Sequence, residues 1–116
     1  MPDDAATVVD IVLACRRVQR FVAQADEARF AGNEEKHWAV VSQLVLIGEA
    51  VRRLSETFRA AHPNIPWSLI AGMRNRLTHE YDKINWALVW RTATVEVGRL
   101  LAELEPLAQA TRPKSE

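Results

Sequence analysis

The sequence lacks the common motifs that indicate a metal site, a cofactor site or a disulfide. Its 116 residues include one cysteine, Cys15, so an internal disulfide is excluded. The four glycines are isolated from one another, which argues against a glycine-rich phosphate-binding loop and a nucleotide cofactor. The histidines His37, His62 and His79 are scattered, with no cysteine pair and no tight acidic cluster, so we expect no metal site. We expect His37 and His62 to serve in capping or surface packing.

The sequence also lacks net charge and long apolar runs. Fifteen Lys and Arg residues balance fifteen Asp and Glu residues, and dedicated DNA-binding proteins are typically basic. The apolar runs are far shorter than the roughly 20 residues of a membrane helix. The acidic start, Met1-Pro2-Asp3-Asp4, lacks the basic-then-apolar order of a secretory signal. We therefore expect a cytoplasmic protein with no membrane and no DNA partner, although a local site for RNA is compatible with this charge.

The first half of the chain predicts two long amphipathic helices. The first should begin near Asp3-Asp4, where an acidic side chain can cap it, and should bury Cys15 as a small apolar residue. Gly32-Asn33 indicates a break followed by a new helix start. Apolar residues at helical spacing then predict one helix of roughly 40 Å from Glu34 almost to His62-Pro63.

Two features of this second helix indicate its neighbours. Gly48 lies in mid-helix, where glycine costs about 1 kcal/mol relative to alanine, so we expect a close helix crossing there. Glu49 and Arg53 are four residues apart in the favourable order, which predicts an exposed ion pair.

The second half predicts a short helix over 66–80 and a last long helix capped by Asn85. No alternating strand pattern is present. The pattern therefore predicts an all-α four-helix bundle with three long helices and one short helix. We expect a single domain over residues 1–110 and a disordered polar tail over residues 111–116.

The short helix gathers more chemistry than any other segment. Its apolar residues recur at three- and four-residue spacing and should form one stripe, made of Leu69, Ile70, Met73 and Leu77. Arg74, His79 and Tyr81 follow or lie between them: a permanent cation, a group that titrates near neutral pH, and a phenol. Histidine can exchange a proton with a ribose 2′-OH or a leaving oxygen, and arginine can stabilise charge on a phosphate. These residue types suit RNA cleavage by 2′-OH attack.

A purely structural role for the same residues remains open at this point. Arg74 and Arg76 would then form a solvated face, His79 would cap the helix C-terminus, and Tyr81 would pack on the bundle.

The segment Arg74-Asn75-Arg76-Leu77-Thr78-His79-Glu80-Tyr81 fits the pattern R-x4-H-x-Y. With the preceding Ile65-Pro66-Trp67 and Gly72-Met73, and with Ile47-Gly48-Glu49-Ala50 earlier, it resembles the HepT family, the toxins of HEPN/MNT-type toxin–antitoxin pairs. The resemblance covers roughly residues 5 to 108.

The resemblance implies a HEPN-type helical bundle that dimerises and acts as a metal-independent endoribonuclease. Arg74 and His79 would be the catalytic pair, and Asn75 would be the supporting polar residue. Tyr81 would be the site that a cognate MNT-type nucleotidyltransferase antitoxin modifies with AMP, which silences the toxin in a type VII-like pair. The alternative is a non-catalytic helical module that binds the nucleotidyltransferase and helps present its substrate.

The helical geometry adds a reason to expect a homodimer. Five residues separate Arg74 from His79 by about 140° around an ideal helix, so one chain cannot point both the same way unless the arginine reaches round or the last turn unwinds. A second copy would bring another Arg74 and His79 into the cleft. We expect apolar side chains such as Trp67 or Trp86 at the interface.

Overall fold

The computed structural model describes the backbone of residues 3–111 and the side chains of residues 3–108. All its α-helices and helical turns follow one another along this range, and no strand occurs in it. The α-helices are α1 Asp4–Val22, α2 Glu27–Ala31, α3 Glu34–Arg53, α4 Glu56–Ala61, α5 Trp67–His79, α6 Trp86–Arg91 and α7 Val97–Thr111. A 3-10 turn, Tyr81–Lys83, follows α5, and a π-helical turn, Thr92–Glu96, joins α6 to α7. The all-α bundle is confirmed.

The long helices pack around one apolar core. Helix α1 packs on both α3 and α7, whereas α5 packs mainly on α3. Cys15 lies in this core with no exposed surface, and burial raises the pKa of its thiol to about 12. Its expected role as a buried apolar residue is confirmed. Of the expected tail, Thr111 is the last residue of α7, and residues 112–116 lie outside the described part of the chain.

Three predicted helix starts are confirmed. At each, the capping side chain accepts a hydrogen bond from the backbone N–H three residues later. The side-chain oxygen of Asp3 accepts a hydrogen bond from the backbone N–H of Ala6 at 3.0 Å. Asn33 caps α3 in the same way at 3.0 Å, and Asn85 caps α6 at 3.1 Å. A side chain that caps its own helix can be found from sequence without knowing the fold.

The single long helix expected from Glu34 to His62 is wrong. Helix α3 ends at Arg53, Leu54 is extended, and Ser55 caps a separate short helix, α4. The carboxylate of Asp4 accepts hydrogen bonds from the Ser55 backbone N–H at 2.9 Å and from its hydroxyl at 2.7 Å. These bonds lower the pKa of Asp4 below its ordinary value. The break is therefore held by the local Ser55 cap and also by a residue 51 positions away, in the first turn of α1.

No helix within the described range is both long and apolar enough to cross a membrane.

Candidate active site

Helix α5 carries Arg74, Asn75 and His79, and it packs mainly on α3 along one edge. Leu77 is buried, and Ile70 and Met73 are half-buried against the core. Leu69 is 74% exposed, so the predicted stripe is wrong at this residue. Because Leu69 lies about 80° around the helix from Leu77, its side chain leaves the face that α3 covers.

Arg74 lies where α5 crosses α3, directly over Gly48. A Cβ atom added to Gly48 would be 2.2 Å from the Cβ of Arg74 and 3.3 Å from the carbonyl oxygen of Ile70. The close helix crossing expected at Gly48 is confirmed. Arg74 therefore does not stand on a solvated face, and its side chain is only 22% exposed.

Polar groups from both helices hold the Arg74 guanidinium. Its Nη2 atom is 3.6 Å from a carboxylate oxygen of Glu49, and its Nη1 donates to the side-chain oxygen of Asn75 at 3.2 Å. Arg52 donates to the same Asn75 oxygen at 3.0 Å. The Nε atom of Arg74 is buried and has no hydrogen-bond partner among the residues that the structure describes. The predicted supporting residue, Asn75, thus joins two guanidinium groups, one from each helix.

The expected ion pair between Glu49 and Arg53 does not form. Glu49 pairs with Arg74 across the crossing, and Arg53 lies 3.6 Å from Asp10 of α1. Opposite charges on neighbouring helices compete with the pair within α3. Because an exposed ion pair adds little to the stability of the fold, small differences decide which pair forms.

His79 and Tyr81 lie at the open end of α5. His79 is the last residue of the helix, and Tyr81 opens the 3-10 turn with 65% of its surface exposed. Neither side chain has a hydrogen bond, ion pair or ring contact with any described residue, so Tyr81 does not pack on the bundle. The structure brings Arg74 together with Asn75 and Glu49, but it makes no contact between Arg74 and His79 within one chain.

The surface role expected for His37 is wrong. His37 is buried, its ring stacks on Trp86 with centroids 4.0 Å apart, and it also contacts Phe30. Its Nε2 atom has no hydrogen-bond partner among the described residues. His37 lies three and four residues before Val40 and Val41 on the buried face of α3, and that spacing was a signal in the sequence. This stack holds the first residue of α6, Trp86, against α3, and so fixes the end of the loop that follows the R-x4-H-x-Y motif.

His62 has the expected local role. It ends α4, its ring packs against Phe58, and its carbonyl oxygen accepts a hydrogen bond from the Trp67 indole at 3.1 Å. In the described part of the chain, no group of three His, Cys, Asp or Glu side chains is arranged to hold a metal ion.

Glu49 and Arg52 are the site residues that sequence reasoning missed. Gly48 marked the crossing, and residues one and four positions after it lie beside the crossing helix. Which helix crosses there, and that it presents Arg74, depends on the tertiary fold.

Comparison with known proteins gives consistent matches over most of the chain. The family model described as "Ribonuclease HepT-like" matches residues 11–107. The Methanocaldococcus jannaschii protein named "Putative RNase MJ1380" is 34% identical over 103 residues, which cover 89% of this chain and 94% of that protein. The Thermococcus cleftensis protein named "Probable ribonuclease HepT" is 30% identical over 98 residues, covering 84% of this chain and 89% of that protein. No solved structure matches the chain.

Proposed function

This chain belongs to the ribonuclease HepT-like family, and from that membership we propose that it cleaves RNA without a metal ion as the toxin of a type VII-like toxin–antitoxin pair. The observation that carries the proposal is that the two motif residues Arg74 and His79 have opposite environments. Arg74 is held half-buried by Glu49 and Asn75, whereas His79 is exposed and unpaired among the described side chains. An arginine fixed in place can stabilise charge on the phosphate, and a histidine free to exchange protons can act as acid or base, so both groups suit metal-free cleavage.

The proposed reaction is an attack of the ribose 2′ oxygen on the adjacent phosphorus. The 2′ hydroxyl gives up its proton, the new bond forms a cyclic phosphate, and the bond to the 5′ oxygen breaks as that oxygen takes a proton. Arg74 stabilises the charge that accumulates on the phosphate oxygens. His79 serves as the general base or the general acid. Glu49 and Asn75 restrict the orientation of Arg74, which lowers the entropic cost of reaching the transition state.

A homodimer supplies what one chain lacks. Helix α5 stays regular through its last turn, where the Glu80 N–H donates to the Arg76 carbonyl at 2.9 Å. Arg74 and His79 of one chain therefore project about 140° apart, and a second copy would contribute the missing acid or base. Exposed apolar side chains on α3 and α5, namely Trp38, Leu46 and Leu69, support such an interface.

The interface residues expected from sequence, Trp67 and Trp86, already have partners within the chain. The Trp67 indole is already engaged, since it donates to the carbonyls of Arg59 and His62. Trp86 stacks on His37 within the chain. We propose that Leu69 and Leu46 are the apolar contacts, together with Trp38, which meets Trp86 edge-on but keeps 42% of its surface exposed, over an area of about 1,200–2,000 Å².

We propose that Tyr81 is the site where a cognate nucleotidyltransferase antitoxin adds AMP. Its exposure, 65%, and its place in a turn after the helix support access by another protein. A phosphodiester and a purine at this position would put negative charge and bulk two residues from His79, where substrate RNA is proposed to bind. Modification would thus block the site by charge and volume together. The toxin and its antitoxin would meet in the cytoplasm.

A non-catalytic module that only docks the nucleotidyltransferase is the second candidate. The same exposed Tyr81 favours it, because docking needs accessibility and no chemistry. Both candidates predict the same partner, so only activity of the isolated chain separates them.

The deciding experiment is cleavage of RNA by the purified chain in EDTA, with His79→Ala and Arg74→Ala as test variants. We expect each to reduce the rate by about 10²–10⁴, the usual effect of removing one catalytic proton-transfer or charge-stabilising group. Arg53→Ala is the matched control, because it removes an exposed arginine that pairs with Asp10 of α1 and with no group of the site. Test variants with unchanged circular dichroism and wild-type cleavage rates would exclude the catalytic assignment and favour the docking module.

A further inference from the structure

A groove of about 300 Å³ lies beside the last turns of α5, on the side away from the contact with Gly48. Its apolar lining is contributed by α5, the following loop and α6, namely Met73, Leu77, Ile84, Leu88 and Val89. Leu77 and Val89 are buried, so they form the floor. Volumes of this size are at the lower end of the range for small-molecule sites.

The rim of this groove carries an excess of positive charge. Arg76 and Lys83 are exposed, and neither forms an ion pair with any described residue. Glu80 is the one acidic residue of the lining. The Asn85 side-chain oxygen is already engaged, because it accepts the hydrogen bond that caps α6. Two unpaired cations above an apolar floor suit a ligand that combines a flat apolar ring with a phosphate.

The groove lies next to the proposed catalytic histidine along the helix surface. Arg76 and His79 are three residues apart on α5, which makes them surface neighbours, about 5–6 Å apart at their Cβ atoms. An RNA strand whose scissile phosphate lies at His79 would therefore place a neighbouring phosphate close to Arg76. The loop that carries Lys83 closes the other side of the same groove.

We propose that this groove is a nucleotide subsite for the RNA strand, adjacent to the bond that is cut. The base lies on the apolar floor beside Leu88, and the phosphate lies between Arg76 and Lys83. The subsite rests on the proposed ribonuclease function and extends it from the cleaved bond to a neighbouring nucleotide. Its apolar floor recognises the base by contact and its rim recognises the backbone by charge, so it binds single-stranded RNA.

The test measures binding of a short, fluorescein-labelled 2′-O-methyl oligoribonucleotide to the full chain across a range of salt concentrations. This probe has no 2′ hydroxyl and cannot be cut, so the measurement does not depend on catalysis. Arg76→Ala and Lys83→Ala should each weaken binding several-fold and reduce the slope of log affinity against log salt by about 0.7, the value for one phosphate contact on a single strand. Leu88→Ala should weaken binding several-fold and leave the slope unchanged, because it removes contact with a base and no charge.

Arg53→Ala is the matched control, since it removes the same charge from the C-terminal turn of α3 and should change neither affinity nor slope. Equal slopes for Arg76→Ala, Lys83→Ala and this control would overturn the subsite. So would wild-type RNA binding by the groove variants together with lost binding to a nucleotidyltransferase, which would make the groove a protein-docking surface. Normal binding of the probe by a chain that fails to cleave RNA would overturn the catalytic proposal and leave the subsite supported. Failure of the wild-type chain to bind the probe would overturn the subsite.

Discussion

The Cβ atom that Gly48 lacks would be 2.2 Å from the Cβ of Arg74. Real Cβ atoms do not approach each other this closely, and neither atom lies on a flexible side-chain end that could move aside. The distance therefore ties the identity of one residue on α3 to the placement of another on α5. Because Glu49 follows Gly48 directly, the same crossing brings its carboxylate within 3.6 Å of the Arg74 guanidinium.

We predict that Gly48→Ala lowers both stability and RNA cleavage. The added methyl group must push α5 away from α3, and overpacking of this kind costs about 1–3 kcal/mol, against a gain of about 1 kcal/mol in helix propensity. Displacement of Arg74 should reduce activity beyond the loss of folded protein. Denaturant unfolding and cleavage rates measured on the same samples check both effects.

Gly98→Ala is the control for this change. Gly98 lies in α7, and the nearest atom to its added Cβ, the side-chain nitrogen of Gln19, would be 3.9 Å away, an ordinary contact. We expect unchanged or slightly higher stability and unchanged cleavage. Equal behaviour of the two variants would show that the Gly48 crossing does not position Arg74.

Tyr81→Phe should prevent modification by the partner enzyme and leave the fold intact. The Tyr81 hydroxyl makes no hydrogen bond with any described residue, so its removal leaves no buried group unpaired. Intact-mass measurement after incubation with ATP, magnesium and the cognate nucleotidyltransferase should show added AMP on the wild-type chain and none on the variant. An equal mass increase on both proteins would place the modification at another residue.

Mixing two inactive variants should restore part of the activity if the site is shared between two copies. In a cleft shared by two copies, a mixed dimer of Arg74→Ala and His79→Ala chains keeps one Arg74 and one His79, whereas each variant alone lacks one of the two residue types. Cleavage should therefore appear on mixing and decline on dilution below the dimer dissociation constant. Light scattering on a size-exclusion column gives the mass independently. A monomer with undiminished specific activity would contradict the shared site.

The bond between Asp4 and Ser55 should make stability depend on pH in the acidic range. Hydrogen bonds from Ser55 lower the pKa of Asp4 below its ordinary value of 3.8 in the folded state, so the unfolded chain binds the proton more readily. The stabilisation is then fully present above the ordinary value and is lost as pH falls through the lower pKa of the folded state. Thermal unfolding of wild type and Asp4→Asn should differ most near neutral pH and converge on acidification. A constant difference across this range would contradict the role of the charge.

The motif residues of the candidate site were available from the sequence alone, because R-x4-H-x-Y is a local pattern. It named Arg74, His79 and Tyr81, the family resemblance added Asn75, and their assigned roles stay predictions. What surrounds Arg74 was not available, since Glu49 and Arg52 reach the site only through the packing of α3 on α5.

The sequence by itself determined the helical class and where most helices begin, because helical periodicity and caps depend on contacts within about four residues. The tertiary structure alone decided three other features. Asp4 of α1 bonds to Ser55 just after the end of α3, Trp86 of α6 covers His37, and Leu69 is exposed because α5 presents only one edge to α3. Each joins residues far apart in the chain, and no local pattern specifies which distant partner a side chain will meet.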